Sequence, residues 1–244
     1  MKKILFECFI LGSLTSISQN FHEQKLELSG KQQFDRLGRS VSIDSNWAAI
    51  SITGALGDPD NYRNRVLIYK FNNNTWGLDT IIKGAYQPPP SYNDWGRSIK
   101  IKDGRLIIGH GEADKIYVYK NSSNGWYLEQ TITPPVNYSN ILFGNRVSFD
   151  LNKILVGAPG CNPAGCGFLF EQDLSGTWIN TYVFDQGFLP LDSNNNSVGS
   201  AISISNNTVA ISGIQHKNIY IFENSINGWI LQDTISSPNI NNPS

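Results

Sequence analysis

One feature constrains this chain more than any other: tryptophan recurs at an almost constant interval. Trp76, Trp126, Trp178 and Trp229 are separated by 50, 52 and 51 residues. Each follows a turn-like segment: Asn73-Asn74-Thr75, Ser123-Asn124-Gly125, Ser175-Gly176-Thr177 and Ile226-Asn227-Gly228. Asn and Gly tolerate the positive φ of tight hairpin turns, so each tryptophan is expected to open a strand just after a hairpin. An aromatic-rich strand stands before each turn, at Val66-Leu67-Ile68-Tyr69, Ile116-Tyr117-Val118-Tyr119, Phe168-Leu169-Phe170 and Ile219-Tyr220-Ile221-Phe222.

Two further strands precede these in every unit. Leu37-Gly38, Trp95-Gly96, Phe143-Gly144 and Val198-Gly199 lead into alternating runs such as Ser40-Val41-Ser42-Ile43 and Ala201-Ile202-Ser203-Ile204. Period-two alternation marks a strand, and the apolar residues keep one offset from the glycine throughout. After a short polar turn come Ala48-Ala49-Ile50, Leu106-Ile107-Ile108, Ile154-Leu155-Val156 and Val209-Ala210-Ile211. A four-stranded unit repeated at about 40 to 50 residues is the sequence form of a propeller blade. The expected fold is therefore all-β, a β-propeller-like array of four four-stranded antiparallel blades, open or incompletely closed.

Composition agrees with this and excludes other classes. The 244 residues are 40% hydrophobic, 11% aromatic and 16% charged, too apolar for a disordered chain. Gly, Asn, Ser and Ile dominate where helical bundles use Ala, Glu, Lys and Leu. A formal charge of −1 provides no electrostatic footprint for nucleic acid or an anionic membrane.

The N-terminus reads as a secretory leader over residues 1–18. Lys2 and Lys3 precede an apolar run from Ile4 to Leu14, and small residues surround a cleavage point expected between Ser18 and Gln19. The run is too short to span a bilayer, so no transmembrane segment is expected. The mature chain is expected to be secreted, at the cell surface, or in a periplasm. Cys8 leaves with the leader, and Cys161 and Cys166, around a Pro/Gly turn, are expected to form a local disulfide in such a compartment. The propeller is expected over 19–236, with blades near 31–83, 90–133, 140–184 and 195–236, then a polar tail at 237–244. His22 to Leu28 resembles one further outer strand. Four units plus that strand do not make a simple ring, so an exposed blade face and self-association are expected.

The apolar-Gly step paired with a downstream Gly-Ala-Pro resembles the FG-GAP repeat of integrin α-subunit propellers and of many secreted bacterial proteins. Phe143-Gly144 and Gly157-Ala158-Pro159 carry both halves literally, and the resemblance covers roughly residues 30 to 236. In the other units Leu37, Trp95 and Val198 replace Phe, while Ser51, Gly109 and Ser212-Gly213 stand where Gly-Ala-Pro would begin. In that family calcium sits in the turn between the first two strands. Here the turn is cut to Asp44-Ser45-Asn46, Lys102-Asp103-Gly104, Asp150-Leu151-Asn152 and Ser205-Asn206-Asn207. Calcium takes about 6 to 8 oxygens. One carboxylate per tight hairpin supplies too few, so these residues are expected to satisfy turn geometry and no cofactor is expected.

No catalytic constellation stands out. His22, His110 and His216 match no zinc or triad pattern. His110 and His216 fall in equivalent loops, with Glu112 and Asp114 beside the former and Asp58 and Asp60 in the corresponding loop of the first unit. Arg39, Arg97 and Arg146 follow the glycine steps; they are expected to pair with carboxylates such as Asp35 and Asp94, the alternative being an arc that binds an anionic group. The resemblance implies a secreted, non-enzymatic binding or adhesion module presenting loops to a protein or glycan partner. Two alternatives remain open: a propeller enzyme acting on glycans at a rim site, in which Glu112, Asp114 and His216 would meet in a cleft, and a fragment of a larger propeller.

Overall fold

The computed structural model describes residues 35–54, 64–84, 94–161, 163–185, 197–213 and 218–236. The leader, the strand expected at His22 to Leu28, the loop of Asp58 and Asp60, His216 and the tail lie outside the described residues. Within them, sixteen strands form four sheets in chain order. The first sheet holds Asp35–Asp44 (β1), Trp47–Gly54 (β2), Arg65–Asn72 (β3) and Thr75–Lys83 (β4). The second holds Ile99–Lys102 (β5), Arg105–His110 (β6), Lys115–Ser122 (β7) and Gly125–Ile132 (β8). Arg146–Asp150 (β9), Lys153–Ala158 (β10), Cys166–Gln172 (β11) and Trp178–Phe184 (β12) make the third. Val198–Ser205 (β13), Thr208–Gly213 (β14), Asn218–Ser225 (β15) and Gly228–Ser236 (β16) make the fourth.

Every sheet is an antiparallel meander, and the repeat extends to its irregularities. The pairing of the third with the fourth strand slips at one equivalent place in each sheet, between Ile68 and Tyr69, Val118 and Tyr119, Leu169 and Phe170, and Ile221 and Phe222. Such a bulge adds a residue to one strand and increases its twist, as stacked blades require. The hairpins before the tryptophan strands use the left-handed backbone their residues favour, with φ of 50° and 62° at Asn73 and Asn74 and 97° at Gly125.

The inner strands pack side by side, β1 on β5, β5 on β9 and β9 on β13. Their outward amides would be left unpaired by the meander, and a side chain of the preceding sheet accepts most of them. Ser40 and Ser42 Oγ accept from Ile99 and Ile101 N, both at 3.1 Å. Ser98 Oγ accepts from Val147 N at 3.0 Å, and Ser148 Oγ from Ile204 N at 3.1 Å. The alternation Ser-apolar-Ser-apolar thus sends hydroxyls to the next sheet and apolar groups toward the previous one.

Apolar contacts follow the same direction. Ile99 and Ile101 join Ala49, Val66 and Ile68 of the first sheet in one cluster. Val147, Phe149 and Trp178 join Ile107, Ile116 and Val118 of the second. Ile204, Val209 and Trp229 join Leu155 and Leu169 of the third. The register tryptophans seal these seams from outside. Trp126 meets Trp47 edge-on at 5.4 Å, and Trp229 meets Phe184 at 5.5 Å.

The glycine pairs have a direct physical cause. A Cβ on Gly157 would lie 2.0 Å from the carbonyl oxygen of Gly199, and one on Gly109 would lie 2.1 Å from that of Gly144. The glycine that starts one unit therefore presses backbone to backbone on the glycine one residue before the end of the second strand of the unit before. Gly144 and Gly199 also adopt φ of 94° and 93°, which L side chains rarely take. The first and fourth sheets form no comparable seam among the described residues, so the array is not closed.

Candidate functional site

The end of the inner strands nearest the glycine steps gathers the charged residues. Arg39 directly precedes Ser40, Arg97 directly precedes Ser98, and Arg146 directly precedes Val147. Because Ser40 is bonded to Ile99 and Ser98 to Val147, the three arginines are brought to one rim, Arg39 and Arg146 on β1 and β9 and Arg97 in the bend that leads into β5. Burial holds the Arg146 guanidinium below its ordinary value, and the positive charges of Arg97 and Arg39 push it the same way. Arg146 Nη1 donates to the carbonyl oxygen and side-chain oxygen of Asn145, at 2.9 and 3.2 Å. Arg97 Nε is buried without a hydrogen-bond partner.

Carboxylates stand beside these arginines without forming the expected pairs. The Arg97 backbone amide donates to the Asp94 carbonyl oxygen at 2.8 Å, but no ion pair links the two side chains among the described residues. Asp94 instead accepts from the Glu112 amide through Oδ1 at 3.1 Å, and its Oδ2 is buried and unpartnered. The side chain of Asp35 lies outside the described residues. Pairing as the main role of these arginines is therefore corrected at Arg97. Asp94 is committed to the turn at Gly111–Ala113, and Arg97 faces the Glu112 carboxyl of that turn electrostatically instead.

His110, the last residue of β6, is buried with Nε2 3.9 Å from Asp94 Oδ1. Burial lowers its pKa, with the charge of Lys115 acting the same way and Asp94 opposing. Glu112 is exposed on the following turn, and its carboxyl is pushed up by partial burial and by Asp94, with Arg97 opposing. Asp94 and His110 are far apart in the unit pattern. The bond from Gly96 N to the Gly109 carbonyl oxygen, 2.9 Å, brings them together, a contact no spacing rule announces.

Asp114 has a structural role instead. Its backbone is left-handed, with φ of 50°, and its carboxylate accepts from Phe143 N at 2.8 Å and Ile141 N at 3.3 Å, fastening the entry to the third unit. Of the expected grouping of Glu112, Asp114 and His216, Asp114 is thus engaged by the backbone of the third unit, and His216 lies outside the described residues.

The aspartates of the first-to-second strand turns also act between sheets. Asp44 Oδ2 accepts from Asp103 N at 2.9 Å, and Asp150 Oδ2 from Asn206 N at 2.6 Å. Asp150 also pairs with Lys102 of the preceding sheet. These residues therefore do more than hold their own hairpins; they extend the serine ladder by one rung. Cys161 and Cys166 form a disulfide with their Cα atoms 5.6 Å apart.

No family model matches the chain. No curated protein matches its sequence. Solved structures do match its fold. A protein from Lactobacillus plantarum superposes with a TM-score of 0.58 at 15% identity, over 80% of this chain and 56% of its own. A protein from Bacteroides fragilis described as a "putative 6-phosphogluconolactonase" superposes with a TM-score of 0.54 at 13% identity, over 86% of this chain and 57% of its own. The chain thus spans little more than half the length of each. The expectation of a non-enzymatic chain is corrected by the second likeness: this architecture is also that of a protein described as an enzyme, and fold alone decides neither way. What the chain shares with both neighbours is a propeller-like, all-β fold.

Proposed function

We propose that this chain is an FG-GAP-type propeller module, acting outside the cytoplasm, that binds an anionic glycan at the rim formed by Arg39, Arg97 and Arg146. The observation that carries this reading is the placing of Arg97, at the entry to β5, beside Arg146, at the start of the adjacent β9, with no carboxylate ion pair on either among the described residues. Guanidinium groups bind carboxylate and phosphate in bidentate fashion, so acidic sugars, phosphorylated or uronic, suit them. Clustering like charges costs free energy in the unliganded protein, and an anion relieves that cost. The leader-like N-terminus and the disulfide support an oxidising compartment, and the glycine contacts between units support the FG-GAP reading.

Titration calorimetry with oligogalacturonate and with the matching neutral oligosaccharide tests it. The acidic sugar is expected to bind with an affinity that falls as salt rises, and Arg97→Gln is expected to weaken binding roughly tenfold, about the value of one charged hydrogen bond. Equal binding of the neutral sugar, or an unaffected Arg97→Gln variant, would rule the reading out.

A second reading, catalysis at the same rim, is favoured by Glu112, whose raised carboxyl beside Asp94 has the character of a general acid. The phosphorylated sugar lactone implied by the name of one fold neighbour is the first substrate to assay. Turnover that disappears in Glu112→Gln while Arg97-dependent binding persists would favour this reading.

A further inference from the structure

The outer strand of the first sheet contains a glycine that the strand itself does not need. Gly77 pairs with Lys70 at the place where Tyr127 pairs with Lys120, Ile179 with Glu171 and Ile230 with Glu223. Those three equivalents carry large, exposed side chains. Backbone geometry does not call for glycine here: its φ lies outside the left-handed region, and a Cβ would meet nothing within 4 Å. The slip in this pairing leaves Asp79 as the extra residue, so Gly77 is not the bulge residue either. A glycine inside a strand weakens it, and away from a bulge or bend it marks a place where something approaches the backbone closely. A recess of about 250 Å³ lies at this place. By the period of two, Lys70, Asn72, Thr75 and Gly77 border it from the face that Val66 and Ile68 turn to the second sheet.

The neighbouring seam shows what would otherwise close such a recess. In the second sheet the bulge residue Glu129 pairs with Arg105 at 3.1 Å and accepts from the Trp178 indole N–H. In the first, Asp79 holds that position, and Trp47 replaces Arg105 opposite the lysine. Lys70 lies over the Trp47 ring at 4.9 Å, and no hydrogen bond or ion pair engages Asp79 among the described residues. The indole N–H of Trp126, the counterpart of Trp178, is buried without a partner. Lys70 and Asp79 thus share the recess without pairing, beside the Asn73 amide and the Thr75 hydroxyl, which donates to the Asn72 carbonyl oxygen at 3.1 Å. Charges that cancel suit a ligand of no net charge, and side chains that together donate and accept match adjacent hydroxyls. The volume is a little under the roughly 300 Å³ at which pockets for drug-sized ligands begin, which suits one sugar ring. We propose that this recess binds a neutral sugar, its hydroxyls on Asp79, Asn72 and Lys70 and its ring over the Gly77 backbone. The recess lies near the β3–β4 turn and the arginines lie toward the opposite end of the strands, so the two sites are separate.

Titration calorimetry of the whole chain with maltotriose, cellotriose, mannotriose and galactotriose decides the matter. At least one of these neutral sugars is expected to bind. Gly77→Tyr places in the recess the side chain that Tyr127 carries in the second sheet. It is expected to keep the wild-type circular dichroism, because a Cβ there meets nothing, and to abolish binding. Asp79→Asn is expected to weaken binding roughly tenfold, the loss of one charged hydrogen bond. Arg97→Gln should leave it unchanged, and oligogalacturonate titrated into the Gly77→Tyr chain reports on the arginine rim alone, so the two sites stand or fail separately. A wild type that binds none of the four sugars, or a Gly77→Tyr variant that binds as the wild type does, would overturn the proposal. So would binding of free serine in place of the sugars, which would assign the recess to a zwitterion.

Discussion

The seam between the second and third sheets and the exposed inner strand of the first sheet are built from the same sequence pattern and have opposite fates. At the seam, Val147 and Phe149 are buried against Ile107, Ile116 and Val118, Ser98 accepts the Val147 amide, and Trp178 lies between the sheets. Trp178 is gripped there by Gln130, which donates to its carbonyl oxygen at 3.0 Å and accepts from its amide at 2.8 Å, while its indole N–H donates to Glu129 at 3.1 Å. Val41 and Ile43 occupy the equivalent offsets in the first unit and face outward. Local sequence sets which residues alternate. Whether the alternation buries anything depends on what stands in front of the sheet.

The widest gap between the two regions should appear on truncating one apolar side chain in each. Phe149→Ala is expected to cost about 3 to 5 kcal/mol, because it leaves a cavity in a packed seam. Ile43→Ala should change the stability of the dilute, isolated chain by about 0.5 kcal/mol or less, as at other exposed sites. Urea denaturation of both variants measures the contrast, and equal losses would mean that the inner strand of the first sheet is covered in solution.

A smaller contrast concerns the serine ladder. Ser98→Ala leaves the Val147 amide buried without an acceptor and is expected to cost about 1 to 3 kcal/mol. Ser203→Ala removes a hydroxyl with no such duty inside the chain and should leave thermal unfolding of the isolated chain unchanged. Matching shifts for the two would show that the ladder carries no stability.

The smallest expected effect depends on pH. Its hydrogen bond with Lys102 and the Asn206 amide hold Asp150 below the usual carboxylate range. A carboxylate lowered in this way adds stability in full above its unfolded value, and that stability is lost as pH falls through the folded one. Unfolding measured from pH 7 down to about pH 3 should therefore show the wild type losing its advantage over Asp150→Asn only in the acidic part of that range. A constant difference between the two would mean that the ion pair does not couple the third sheet to its neighbours.

Much of this architecture was legible in the residues. The tryptophan spacing, the hairpin turns and the Ser-apolar alternation specify four equivalent meanders, since each is a local signal of period two or of positive φ. The roles of particular polar residues were less so. Asp114 reads as a loop acid and serves as a fastener, and Asp44 and Asp150 read as turn residues and bridge to the next sheet. Glu129 carries no motif, yet the bulge in β8 lets it pair with Arg105 at 3.1 Å and accept from Trp178. Each of these roles depends on a partner about 15 to 60 residues away, or on the next turn of chain, and no spacing rule records that partner.

By itself, then, the sequence determined the unit: four strands, their turns, the glycines at which units must touch, and an apolar face on each side of every sheet. Only the tertiary structure decided which faces meet, how the arginines of successive strands share a rim, and where the array remains open. The physical reason is that strand formation depends on neighbours along the chain. Burial of a sheet face and the local field around a charge depend on whatever the next sheet brings within a few ångströms.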